Sequence, residues 1–200
     1  MATASRPRGA TRQKLIDSTI ALLQEGGYAA ATVGAITERS GVAAGTLYRH
    51  FPSKEALFVE VFRSVCDREV DAMRAAAAEH ESFTDRLDAV VEVFSRRALS
   101  NRRLAWSLLA EPVDPLVDIE RLEFRRYYTD LIAGLLAEGI AAGAIPDQDV
   151  DLTAAALVGS IGEALVGPLS PVDGGGASQD HVVAALTEYC RRAAGAVSPV

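Results

Sequence analysis

Apolar side chains recur along this 200-residue chain three and four positions apart, a spacing that predicts helix after helix and no strand. Leu15, Ile16, Thr19, Ile20, Leu22 and Leu23 form the first stripe. Gly26 and Gly27 stop that helix, and Tyr28 folds back on the core. Thr32 caps a second, short helix carrying Val33, Ala35 and Ile36, which Gly41 ends after about two turns. A third helix runs from Ala44 to His50. Pro52 and Ser53 then open a long fourth helix, with Ser53 as N-cap and Glu55 in the first turn, where a carboxylate is favoured. Leu57, Phe58, Val61, Phe62 and Val65 mark its apolar face, which continues to about Ala78.

Leu87, Val90, Val91 and Phe94 give a fifth helical face, and Asn101 to Ala110 a short sixth helix that contains Trp106 and is closed by Pro112 and Pro115. A long helix follows from about Leu116 to Ala142, with Leu122, Tyr128, Leu131, Leu135 and Leu136 on its pattern. Residues 149–166 and 180–194 supply the last two, separated by the turn-rich stretch SPVDGGGASQD. The expectation is an all-α protein of nine helices without internal repeats.

Composition adds that the chain is globular: 49% apolar and 24% charged. No uninterrupted apolar run reaches the roughly 18 residues of a membrane span. Arg6, Arg8, Arg12 and Lys14 precede no hydrophobic stretch of the signal-peptide kind. Cys66 and Cys190 make neither a disulfide framework nor a metal-ligand spacing. A cytoplasmic protein with no membrane partner is expected.

Charge is unevenly spread, and this changes the choice of partner. The net charge is −7, yet residues 1–55 hold seven Lys/Arg against four Asp/Glu, a balance of +3. An acidic body behind a basic head resists non-specific contact with a polyanion while the head approaches it. The head also has the right plan. Three short helices, the second and third joined by a glycine-led turn, form a helix-turn-helix, whose second member enters the major groove. That member is Ala44–His50: Leu47 faces inward with Ile36 and Val42, and Phe51 packs against the fourth helix. Gly45, Thr46, Tyr48, Arg49 and His50 remain around the outer side. Thr46 offers a methyl and a hydroxyl, Arg49 a fork for a guanine edge, and Tyr48 reaches a phosphate. Gly45 lets the helix come close to the bases. Lys54 and Thr32, at helix starts, are placed for phosphates.

These residues carry a resemblance. The segment TRQKLIDSTIALLQEGGYAAATVGAITERSGVAAGTLYRHFPSKEALF, residues 11–58, resembles the TetR family of one-component bacterial transcription repressors almost end to end. The T-V-x-x-I of 32–36, G-V of 41–42, T-L-Y-x-H-F of 46–51 and S-K-E-x-L-F of 53–58 match in register. The resemblance implies an all-helical homodimer with two DNA heads, a pseudopalindromic double-stranded operator, and release by a small organic effector that tilts the fourth helix. Its DNA-contact positions fall on Thr32, Ala44, Gly45, Thr46, Tyr48, Arg49, His50 and Lys54. Ala44, often polar or basic in the family, offers an apolar contact only, which shifts sequence reading toward Arg49. The division implied is a DNA-binding head over 1–55, with residues 1–10 as an arm, and an effector-binding and dimerisation domain over 56–200.

The body shows no catalytic constellation. His50, His80 and His181 are scattered, and the glycines at 174–176 lack a nucleotide-binding pattern. No enzyme, metal or cofactor is expected. The alternative, an all-helical enzyme or binding protein, would require Asp, Glu or His side chains converging in the body. The resemblance places the effector cavity between about 84 and 166, with Phe94, Trp106, Leu109, Phe124, Tyr128, Leu131 and Leu165 as lining candidates and Glu111 or Arg125 as polar anchors. For dimerisation, Ala155, Gly159 and Gly162 permit close helix approach beside Leu152, and the final helix adds Val183, Leu186 and Tyr189.

Overall fold

The computed structural model describes residues 5–172 and 178–196, with side chains from Gly9 onward. The first four residues of the expected arm and residues 173–177 of the glycine-rich turn lie outside the described residues. The described residues form nine helices: α1 (Ser5–Ala30), α2 (Val33–Ser40), α3 (Ala44–His50), α4 (Lys54–Ala78), α5 (Phe83–Ser100), α6 (Arg102–Leu109), α7 (Pro115–Ala141), α8 (Val150–Leu169) and α9 (Gln179–Ala193). The all-α expectation is met, with a three-helix head and a long α4 connecting it to the C-terminal helices.

Local chemistry accounts for the boundaries. The hydroxyl oxygens of Thr32, Ser53 and Ser178 and the carboxylate of Asp149 accept the N–H of Ala35, Ala56, His181 and Leu152, so α2, α4, α9 and α8 start on side-chain caps. α1 is two helical stretches joined by a kink at Gly27, φ 70° and ψ −164°, a conformation that only glycine adopts cheaply. α8 continues past the expected end at 166 to Leu169, with Pro168 in its last turn. A proline there removes one N–H from a helix that is already ending.

The chain divides into two compact units. The first holds residues up to Val65 together with Asn101–Arg121. Its core is Leu15, Ile16 and Leu23 of α1, Ile36 of α2, Leu47 of α3, and Leu57 and Val61 of α4, all nearly or fully buried. α6 packs on α1 within this unit, burying Leu104 and Ala105.

The second unit holds Cys66–Ser100 and the residues from Leu122 onward. α5 packs on α9 and α8 there, around Leu87, Val90, Leu157, Leu165, Val183 and Leu186. A bidentate ion pair clasps the first two: Arg191 Nε donates to both Asp88 carboxylate oxygens at 2.7 and 2.8 Å. At the far end of α5, Gln179 donates to the carbonyl of Leu99 at 3.1 Å. Gly139 of α7 is required by close approach, since a Cβ there would lie 2.6 Å from the Phe83 ring.

Candidate nucleic-acid interface

The connection between α2 and α3 is three residues long and begins at Gly41, φ 64°. Val42 and Gly41 N–H groups donate back to the carbonyls of Thr37 and Glu38, which closes α2 and reverses the chain. Ile36 and Leu47, both fully buried, hold the two helices against α1. A second tie fixes α2: Arg39 donates to both carboxylate oxygens of Glu25 at 2.7 Å.

With Leu47 inward, helical rotation decides the outer face of α3. Ala44, Gly45, Tyr48 and Arg49 occupy one exposed arc, and Tyr48 is 51% exposed although it is a large aromatic. Thr46 and His50 sit at the flank, half-buried. Arg49 Nη2 donates to the Thr46 hydroxyl at 3.1 Å, which aligns the guanidinium along the helix. A Cβ at Gly45 would meet nothing within 4 Å. Its glycine is therefore not required by packing within the chain.

Thr32 is exposed and its hydroxyl oxygen is already used as the α2 cap. Lys54, in the first turn of α4, has its ammonium 4.5 Å from the Tyr28 ring centroid and 5.1 Å from that of Phe58. The two rings are themselves 4.5 Å apart. Lys54 is thus held in place by aromatic faces, a constraint its sequence position alone does not reveal. Glu55 beside it has its carboxyl held below the ordinary range by its own backbone N–H and the Ser53 hydroxyl.

Next to this surface, Arg12, His50, Phe51, Val59, Arg63 and Ile119 line a groove of about 410 Å³. Its cations are internally matched. Arg12 pairs with Glu60 and lies 5.0 Å over the Phe51 ring; Arg63 donates to both Glu120 oxygens at 2.8 and 2.6 Å.

The effector-lining candidates fall in both units. Phe94 and Tyr128 meet edge to face at 5.5 Å in the second unit. Burial, and then the Cys66 thiol beside it, push the Tyr128 phenol well above its ordinary pKa. Phe124 and Leu165 are buried there, Leu131 is half-buried and Arg125 is exposed. Trp106, Leu109 and Glu111 belong to the first unit and are half-buried. The Glu111 carboxylate accepts the backbone N–H of Tyr28 at 3.1 Å, a guanidinium N–H of Arg103 at 3.1 Å, and the Ser107 hydroxyl. Sequence patterning does not single out Arg103. Its partners are Glu111 and the carbonyl of Gly26, 77 positions away, and no periodic signal encodes such a contact.

The dimer candidates also separate. Leu152, Ala155, Gly159 and Tyr189 are exposed, Leu152 at 68%, and Gly162 is half-buried. The Ser160 and Tyr189 hydroxyls lie 3.1 Å apart, joining α8 to α9. Val183 and Leu186 are covered within the chain itself. α8 alone among the described helices is long and apolar enough to cross a membrane, with mean hydropathy 1.5. Ala154, Leu157, Ile161 and Leu165 form its buried side. Among the described residues no cluster of three His, Cys, Asp or Glu could hold a metal, and Cys66 and Cys190 are not joined in a disulfide.

A basic head built as a helix-turn-helix, with an open arc on its second helix, defines a DNA-binding regulator. Comparison with known proteins agrees. Residues 15–61 match the family described as bacterial regulatory proteins, tetR family, and residues 80–164 match the tetracyclin repressor-like C-terminal domain. The HTH-type transcriptional repressor KstR2 of Rhodococcus jostii is 31% identical over 146 residues, 70% of this chain and 71% of that protein. The fatty acid metabolism regulator protein of Bacillus subtilis is 26% identical over 153 residues, 75% and 79% of the two chains. The solved structure of the transcriptional regulator FadR from Bacillus subtilis in complex with stearoyl-CoA superposes with TM-score 0.77 at 22% identity, over 89% of this chain and 96% of that one, a likeness of fold. The chain belongs to the TetR family of bacterial regulatory proteins. It is a sequence-specific DNA-binding transcriptional regulator.

Proposed function

We propose that the chain is a homodimeric repressor that occupies a pseudopalindromic operator and leaves it when an acyl thioester binds its second unit. The exposed arc Ala44–Gly45–Tyr48–Arg49, opposite the buried Leu47, is the observation that carries the DNA half of this reading. Arg49 reads a guanine edge in the major groove, while Thr32, Tyr48 and Lys54 position the head on phosphates and Thr46 and His50 flank the arc. Two heads about 34 Å apart, one turn of DNA, match the two-fold symmetry of a dimer.

The apolar outer side of α8, with Leu152, Ala155 and Gly159 exposed beside Tyr189 of α9, supports a second copy of this chain as its cover. A helix of this composition otherwise leaves apolar surface in water. A DNA-binding role supports a cytoplasmic location.

The effector class rests on the Bacillus subtilis sequence relative named for fatty acid metabolism and on the solved Bacillus subtilis FadR structure in complex with stearoyl-CoA. Phe94, Phe124, Tyr128, Leu131 and Leu165 give the second unit the aromatic and aliphatic side chains an acyl chain requires. Operator release requires that the thioester bind more tightly to the conformation with misplaced heads. The test is selection of duplexes from a random library, followed by displacement of the selected duplex with stearoyl-CoA, stearate and coenzyme A in parallel. Enrichment of an inverted repeat and release by the thioester alone are expected. No enrichment from folded dimer sinks the DNA reading, whereas enrichment without release sinks only the effector class.

A further inference from the structure

We propose that Glu111 and Arg103 are positioning residues for DNA binding, acting through Tyr28 on the ammonium of Lys54. The inference rests on Lys54 being a phosphate contact, as proposed above. Everything it uses lies in the first compact unit.

The turn at Gly27, inside α1, is braced from outside the helix. Gly27, directly before Tyr28, departs from helical geometry at φ 70° and ψ −164°. Glu111 accepts the Tyr28 N–H at 3.1 Å. Arg103 supplies the complementary donor, giving one N–H to the Gly26 carbonyl at 3.1 Å and sharing the same nitrogen with Glu111 at 3.1 Å. The guanidinium lies flat against the turn: a Cβ at Gly27 would come within 2.0 Å of Arg103 Nη2. Glycine is demanded here by the backbone conformation, and a Cβ would in addition displace the Arg103 guanidinium. The Ser107 hydroxyl completes the coordination of Glu111, and Arg121 holds the backbone of the same corner, donating to the Glu111 carbonyl at 2.7 Å and the Leu108 carbonyl at 2.8 Å.

What this clamp fixes is an aromatic ring. Tyr28, gripped by its backbone, presents its face to Lys54 at 4.5 Å. Phe58, one turn along α4, forms the other wall. Rings attract an ammonium without using up its N–H donors as a carboxylate would. Lys54 is therefore localised yet still able to donate to a phosphate, and the rotamer entropy of its long side chain is given up before DNA arrives. If the turn is loosened, Tyr28 swings and Lys54 regains its freedom.

The experiment compares Glu111→Gln, Tyr28→Leu, Lys54→Ala and the double variant Glu111→Gln/Lys54→Ala on the wild-type-selected duplex across a salt series. Glu111→Gln is expected to bind about tenfold more weakly. Its salt slope should stay at the wild-type value, since the freed ammonium still neutralises its phosphate once bound, whereas Lys54→Ala should lose about 0.9 per head. In the double variant Glu111→Gln should add nothing to Lys54→Ala. Tyr28→Leu, which keeps the N–H bond to Glu111 but removes the ring, should match Glu111→Gln and decides the matter even where Glu111→Gln unfolds. Hydrogen exchange at the Tyr28 amide, read without DNA, should be faster in Glu111→Gln. Wild-type affinity in Tyr28→Leu, or effects of Glu111→Gln and Lys54→Ala that simply add in the double variant, overturns the proposal while leaving Lys54 a phosphate contact. Wild-type affinity in Lys54→Ala itself overturns both.

Discussion

Arg49 donates to the hydroxyl of Thr46 at 3.1 Å, three residues back on α3. The arginine proposed to read a base is thereby braced by its own helix rather than waving from it. Arg49→Ala should cost about 1–3 kcal/mol of operator affinity and relax specificity at one position of each half-site. Duplex selection repeated with the variant reads both effects. A uniform loss across all sequences would instead make Arg49 a phosphate contact.

Gly45 stands on the exposed arc with open space where a Cβ would lie. Gly45→Ala should therefore stabilise the free protein by roughly 0.5 kcal/mol, a rise of about 1–2 °C in Tm. Operator affinity should fall at the same time, because the added methyl meets the floor of the groove. A thermal melt and a binding titration on the same sample test the pair of signs; unchanged affinity would remove Gly45 from the interface.

Leu152 at 68% exposure and the exposed Gly159 lie on the uncovered side of α8. Leu152→Glu and Gly159→Arg should each convert the dimer to monomer by light scattering, with the far-ultraviolet helix signal retained. Operator affinity should collapse with them, since two half-sites are then bound independently rather than at high effective concentration. A Gly159→Arg protein that stays dimeric would move the interface elsewhere.

Glu55 has its folded pKa lowered, first by its own backbone N–H and then by the Ser53 hydroxyl. Its contribution to stability is complete above the ordinary carboxylate pKa and disappears as pH falls through the lowered folded value. Glu55→Gln should flatten the acid side of the stability profile, with a small difference at neutral pH that disappears at acid pH as the carboxylate protonates. Urea unfolding from neutral to acid pH measures it.

Cys190 is fully buried and burial, then the nearby Asp88 carboxylate, push its thiol up to about 12. It should resist iodoacetamide in the folded protein near pH 8 and react only on unfolding, because the thiolate is the nucleophile. Peptide mass spectrometry after timed alkylation distinguishes it from a reactive thiol.

The helices and their caps were legible because each rests on a local rule. Thr32 and Ser53 precede apolar periodicity, and both cap as that order requires. Leu47 faces in because α3 is too short to bury any other large apolar side chain. Glu111 shows where such rules end. By sequence it is a carboxylate near a proline turn, available to an effector; in the fold its oxygens are bonded to Tyr28, Arg103 and Ser107. Tyr28 lies 83 positions away, a separation no helical period spans. Val183 and Leu186 fit the heptad of a dimer face and of an internal one equally, and the packing of α9 on α5 covers both.

Because α6 packs on α1 and belongs to the compact unit of the head, the DNA-reading module is not a contiguous cassette. Exchanging heads between relatives by a single splice after α4 begins would transplant α1 without the helix that covers it, and Gly27 without its arginine. A working chimaera must carry residues 101–121 with its new head. Operator specificity and the α6 corner are therefore inherited together, and a head exchange in this chain needs three junctions, after residues 65, 100 and 121, rather than one.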